Sequence, residues 1–430
     1  MDSQQTVAAA AGGTAAPAAL AEPTDPVRAG WISLLFLANI GLWLAIYAPI
    51  QVLLPEQVQS LHAASKYAGE NAVLLSVVMG FGAVASLIAN PVAGALSDRT
   101  TSRRGRRHPW TVAGALTGAA GIVIVAAAPA IPVMVIGWCI AQAGLGGMLA
   151  TLTAALPDRV PEKQRGTLGA LIGISQMLGT VLGALIVTVL VTRLSAGYLT
   201  CAAIVVAGAL LFAARTPDEP LPPEFKPAAP VGATLRRLWV SPRQHPNFGW
   251  GWLTHFLINL GNALGTLYLL YFLADSAHYH DPQTGLLMLM ALYAVALAAA
   301  GVVCGNASDK SGRRKPFIIA SSAIMALAAL LLVISPTFTV ALVAAPLLGA
   351  GFGTYWAAAP ALLTHVLPAA TDRAKDLGVI NVAYSLPLVV APLMAGVVLG
   401  LLNSYPALFA LSGVATVLAS VTVSHVRSVR

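Results

Sequence analysis

The stretch "GALSDRTTSRRGRRHPW", Gly94 to Trp110, places five arginines and one aspartate in a break between two nearly uncharged runs. A basic cluster of this kind fits a nucleic-acid patch, a membrane-surface anchor or a working part of a larger machine. Its surroundings narrow the choice. The 430 residues are 57% hydrophobic and only 9% charged, with a mean hydropathy of +0.79, whereas soluble domains carry roughly 25% charged residues. Runs long enough to cross a hydrocarbon core, about 17–25 apolar residues, fall at 30–53, 72–96, 110–129, 132–154, 166–192, 196–214, 248–274, 284–307, 316–335, 337–360, 376–402 and 405–424. An all-α polytopic membrane protein with twelve transmembrane helices is predicted, sitting in a lipid bilayer.

The net charge of +8 follows from topology. Numbering the loops by the spans they join, every Lys and Arg except Lys66 and Arg193 falls on one side. The positive-inside rule makes that side the cytoplasm, with both termini on it and the protein in the cytoplasmic (inner) membrane. A nucleic-acid partner is therefore not expected. Cys139, Cys201 and Cys304 all lie in apolar spans without metal-ligand spacing, so they read as small buried hydrophobes. Neither a metal nor a cofactor is expected, and a monomer is.

The quoted stretch has an echo. "GALSDR" (Gly94–Arg99) returns as "GNASDK" (Gly305–Lys310), which maps Asp98 onto Asp309 at an offset of 211. The same offset carries Leu156-Pro157, which opens a polar loop, onto Leu367-Pro368, which opens another. Two landmarks on one displacement imply duplicated six-helix halves. The expected organisation is a disordered cytoplasmic tail over 1–29, a first bundle over 30–214, a Pro-rich cytoplasmic linker over 215–247, a second bundle over 248–425 and a short tail over 426–430. Within the linker, "TLRRLWV" reads as a short amphipathic helix at the inner surface. Such halves with a solute site between them are a transporter architecture.

Gly94-x-x-x-Asp98-Arg99 followed by Arg-x-Gly-Arg-Arg resembles the loop between helices two and three of the major facilitator superfamily. The degenerate copy at Gly305–Arg314 sits where that family has its second one. The longer form with "TTSR" inserted, and "NVAYSLPLVVAP" (Asn381–Pro392), are similar to the sugar–cation symporter branch that includes sucrose-type carriers. The chain departs from those carriers at Leu388, where they often have Gln, and has no Asp or Glu in 132–154, where they have an acid. The resemblance implies two pseudo-symmetric bundles and an inner gate built from Asp98, Arg99, Arg103, Arg106, Arg107, Asp309, Lys310, Arg313 and Arg314. That network would tie the halves together on the inside, since a carboxylate there accepts bidentate guanidinium bonds. The alternative is that Asp98 only caps a helix.

Candidate solute contacts come from periodicity. Asn39, Trp43, Tyr47 and Gln51 step by four along the first span, and His255, Asn259, Asn262 and Thr266 share one face of the seventh. Polar faces within spans look onto a bundle interior or a watery cavity, although they also glue helices together. Gln142, Gln176, Tyr293, Tyr355, Trp356, Asn381 and Tyr384 are further polar positions inside spans. Amides beside aromatic platforms suit a neutral or weakly charged small-molecule substrate, sugars or glycosides favoured. Proton or cation coupling is expected, and the titratable candidates for it are His255 and Glu70; a facilitator is the alternative. The fifth-span stretch "GISQMLGTVLGALI" (Gly173–Ile186) lacks the proline of drug antiporters, which disfavours an exporter of drugs or natural products. No HExxH, GxSxG or phosphate-cradling loop occurs, so an enzyme is not expected.

Overall fold

The computed structural model describes residues 17, 19, 23–62, 70–225, 244–366 and 373–427. Lys66, the linker helix expected within 234–240 and most of the expected N-terminal tail lie outside the described residues. So do the side chains of Asp309 and Asn381.

Among the described residues, twelve helices are long and apolar enough to cross a membrane. They are α1 (Ala29–Leu61), α2 (Glu70–Ser97), α3 (His108–Ala126), α4 (Ile131–Arg159), α5 (Glu162–Leu185), α6 (Leu194–Arg215), α7 (Pro246–Ser276), α8 (Pro282–Ser311), α9 (Lys315–Ile334), α10 (Phe338–His365), α11 (Arg373–Leu402) and α12 (Tyr405–Ser424). In hydrocarbon every backbone amide must bond within its own segment, so long uninterrupted apolar runs become helices. We call the end that carries the arginine-rich loops the basic end, and the other the opposite end.

α1 runs past its expected stop at 53. A proline inside a helix removes a donor and clashes with the preceding turn. Here Pro49 opens a π-helical turn, Pro49–Leu53, in which Leu54 N bonds Pro49 O, and the helix continues to Leu61. α5 finishes in a similar π turn over Ile186–Leu190. α7 is interrupted after Thr266 and resumes through Leu269–Tyr271 and a π turn over Phe272–Ser276.

Packing repeats with a shift of six helices. α1 lies on α5 and α6, α2 on α4, and α3 on α4 and α6. In the second half α7 lies on α11 and α12, α8 on α10, and α9 on α10 and α12. Between lipid-embedded helices the driving force is close van der Waals contact through small residues. At the α3–α4 crossing a Cβ on Gly144 would come within 2.3 Å of Gly118 N, so no larger residue fits there. The two bundles meet where α2 packs on α11 and α5 on α8.

Candidate functional site

At the basic end, the loop between α2 and α3 turns on Gly105 at φ +90°, and its counterpart between α8 and α9 turns on Gly312 at φ +65°. Left-handed backbone is cheap only for glycine, which is why each loop has Gly before its Arg-Arg pair. The repeat extends to side chains. Arg107 Nη1 donates to Ser97 Oγ (2.9 Å), and Ser97 Oγ donates to the Arg106 carbonyl (3.1 Å). In the second loop Arg314 Nη1 donates to Ser308 Oγ (2.8 Å), which donates to the Arg313 carbonyl (3.4 Å).

The first loop is the more elaborate. Arg107 Nη2 lies 2.6 Å from Asp98 Oδ1, its Nε lies 2.7 Å from Asp158 Oδ2, and Arg106 Nη2 lies 2.7 Å from Asp158 Oδ1. Burial pushes the Arg107 guanidinium towards losing its proton. Asp158 and then Asp98 outweigh that and hold it charged, above its ordinary pKa. Asp218, just beyond α6, accepts from the backbone N–H of Arg107 (2.7 Å) and His108 (2.8 Å), so it caps α3 from a distance. Arg159 pairs with Glu219 at 3.0 Å. These bridges clamp α2, α3, α4 and the segment after α6 together within the first bundle, where the expected gate was to join the two halves. Of the remaining expected gate residues, Arg103, Lys310 and Arg313 are exposed and Arg99 is half-buried. Asp158, Asp218 and Glu219 were not picked out in the sequence, because nothing in spacing tells which loop an acid will reach.

Near the middle of the helices the side chains converge. Gln176 Nε2 on α5 donates to Tyr47 Oη on α1 (3.3 Å) and to Tyr384 Oη on α11. The Tyr384 ring lies 5.7 Å from Trp356 at 80° and 6.4 Å from His255 at 28°. His255 Nδ1 is hydrogen-bonded to Tyr355 Oη and sits edge-to-face with Trp356 at 5.8 Å. Trp356 is 37% exposed although it stands in the interior of α10, and Tyr47, Gln176 and Tyr384 are half-buried. Five helices from both bundles thus present aromatic faces and uncharged polar groups to one place.

Trp43 stacks on Tyr47 (5.8 Å, 27°). Its Nε1 and Gln51 Oε1 are buried without a hydrogen-bond partner among the described residues. Such an orphaned group costs about 1–3 kcal/mol, so among the described residues the α1 stripe carries one unpaired donor and one unpaired acceptor. Gln51 Nε2 makes only a weak contact to Met290 Sδ on α8 (3.6 Å). One turn along, Tyr293 Oη donates to Asn262 Oδ1 (3.0 Å).

Other expected contacts go elsewhere. Asn39 and Asn259 are buried and donate to the carbonyls of Leu35 (2.9 Å) and His255 (2.7 Å) four residues back, each satisfied on its own helix. Gln142 packs in the α2–α4 seam beside Gly82. Glu70 stands at the opposite end of α2, 3.7 Å from His62, well away from the cluster. Periodicity shows which residues share a face but not which neighbour the face meets, so Tyr384 and Tyr355 could not be ranked above the rest.

Towards the opposite end the bundles touch. Tyr271 Oη donates to the Pro55 carbonyl (3.0 Å), Ser76 Oγ and Tyr268 Oη share a bond of 2.7 Å, and Gly396 and Gly400 of α11 lie against Ser76 and Val73 of α2.

A membrane-embedded pair of repeated six-helix bundles, with a polar and aromatic site drawn from both, defines a secondary transporter. The chain belongs to the major facilitator superfamily: the sequence profile of that family matches 31–289 and 261–429. No curated protein matches the sequence. Among solved structures, the fold is similar to the crystal structure of a variant of the nucleoside transporter NupG, with a TM-score of 0.71 at 12% identity, covering 92% of this chain and 100% of that one. The protein is therefore a multi-pass membrane transporter of a small-molecule substrate, not an enzyme.

Proposed function

We propose that the protein carries a neutral, hydroxyl-bearing solute, a sugar or glycoside, across the cytoplasmic membrane by alternating access. The basic end, the linker over 215–247 and both termini face the cytoplasm in this reading. The observation that carries it is the composition of the central cluster. Tyr47, Gln176, His255, Tyr355, Trp356 and Tyr384 offer hydrogen bonds and aromatic faces, and none of them holds a fixed charge. Aromatic faces pack against the apolar C–H face of a sugar ring while amides and phenols bond its hydroxyls. The "TTSR" insert points the same way. The NupG protein is named for nucleosides; a nucleoside is also a hydroxylated ring bearing a flat group, which keeps such solutes within the class to be tested.

His255 is the coupling group in this account, because it is the cluster's imidazole, the side-chain type whose ordinary proton exchange falls in the physiological range, and it touches Tyr355, Trp356 and Tyr384. Glu70 lies too far along α2 for that role. Asp98, with Arg107 and Asp158, is proposed as the first bundle's face of the inner gate, on which the second bundle docks when the opposite end opens. The test of the reading is a thermal-shift screen of the purified protein against sugars, glycosides, nucleosides and lipophilic cations across pH. Neutral hydroxylated solutes are expected to raise the melting temperature. Stabilisation by lipophilic cations alone would favour export of amphipathic compounds instead.

A further inference from the structure

In the central cluster, the Gln176 amide nitrogen hydrogen-bonds a tyrosine of each bundle, and those two tyrosines, Tyr47 and Tyr384, also meet each other. One amide hydrogen reaches Tyr47 of the first bundle and the other Tyr384 of the second. An amide nitrogen has two hydrogens and no more, so a solute that is to bond this nitrogen must displace a tyrosine. Tyr384 is the exchangeable one. Its ring forms part of the wall with Trp356 and His255 on which a flat or apolar solute face would rest, so an occupant of that wall lies next to the bond. A further link between the bundles, Gln51 to Met290, uses a thioether acceptor at 3.6 Å and contributes little.

We propose that Gln176 is a solute-displaceable latch: a hydroxyl of the bound solute replaces Tyr384 on the Gln176 amide and so frees α11 from α5. The proposal rests on the reading of the solute as neutral and hydroxylated. Replacing one neutral hydrogen bond by another is close to isoenergetic, so occupancy can switch the link without a large penalty. The latch also sorts solutes. A molecule that stacks on Trp356 but presents no acceptor to Gln176 leaves Tyr384 in place and is held without releasing the bundles. All three partners are uncharged at neutral pH, which separates this role from that of His255.

The test reads the seam directly. On the opposite-end side, a Cβ added at Gly400 would lie 3.2 Å from Val73 Cγ2, so Val73→Cys with Gly400→Cys reports contact between α2 and α11 by the rate of disulfide formation. The measurement uses a chain whose Cys139, Cys201 and Cys304 are alanine. Without solute, Tyr384→Phe is expected to slow cross-linking about fivefold, the equivalent of one neutral hydrogen bond of ~1 kcal/mol, and Gln176→Met to do the same. Saturating phenyl β-D-glucopyranoside is expected to slow the unmodified latch to the Tyr384→Phe rate and to leave the Tyr384→Phe rate unchanged. Equal rates with and without Tyr384→Phe and Gln176→Met overturn the latch itself. Slow variants beside a parent rate that ignores phenyl glucoside, methyl glucoside and uridine overturn the solute reading, and solute displacement falls with it.

Discussion

Gly105 and Gly312 hold the same left-handed turn in the two halves, yet their surroundings differ. A Cβ on Gly105 would lie 2.1 Å from the Asp218 carboxyl, while one on Gly312 would meet nothing within 4 Å. Gly312→Ala therefore carries backbone strain alone, about 1–2 kcal/mol, and Gly105→Ala adds the expulsion of Asp218 from the N-terminus of α3. Thermal unfolding should place Gly105→Ala clearly below Gly312→Ala, and equal melting temperatures would mean that Asp218 does not cap α3. At the same scale, Asp158→Asn should resemble Asp98→Asn in uptake assays, because both remove a carboxylate from Arg107. Substrate binding is expected to survive in both while transport falls; unchanged transport would reduce Asp98 to a helix cap. The repeated loop motif was legible in the sequence through Gly-x-x-x-Asp and Gly-Arg-Arg. The acids that complete it were not, since Asp158 and Asp218 come from segments that only folding brings to Arg107.

Among the elements, the membrane spans were the most legible part, because hydrocarbon leaves an apolar stretch little choice but helix. The exceptions are informative. The first span was expected to stop at 53, yet the π turn that Pro49 opens carries α1 on to Glu56 and Leu61. The faces of α1 and α7 were half legible. Tyr47 and His255 do reach the central cluster, whereas Asn39 and Asn259, on the same stripes, bond their own helices. A period of four identifies a face; which residue on it meets the central cluster depends on where α5, α10 and α11 lie. His255 belongs to this scale, since it is α7 that sets it against α10 and α11. His255→Gln keeps a hydrogen-bonding group of similar reach but cannot take up a proton. Uptake by that variant in proteoliposomes should lose its dependence on an imposed pH gradient while solute exchange persists. A gradient that still drives uptake in His255→Gln would remove His255 from coupling.

Across the whole molecule, the offset of 211 predicted two matching halves, and the helix packing repeats with a shift of six. Their conformation was not legible. Nothing in the pattern says that Tyr271, Ser76 and Gly396 will join the bundles at the opposite end while the carboxylates on Arg107 clamp the first bundle alone. The two halves bring different chemistry to the central cluster: Tyr47 and Gln176 supply a hydroxyl and an amide from the first, and His255, Tyr355, Trp356 and Tyr384 supply aromatic faces from the second. A solute with a hydroxylated edge and an apolar face fits that division. The most direct measurement is the melting temperature of the purified transporter and of its Trp356→Ala variant against the same panel of sugars, glycosides, nucleosides and lipophilic cations. The account predicts stabilisation of the parent by neutral hydroxylated solutes and its loss in Trp356→Ala. Stabilisation by lipophilic cations alone, or a sugar response that Trp356→Ala leaves intact, would contradict it.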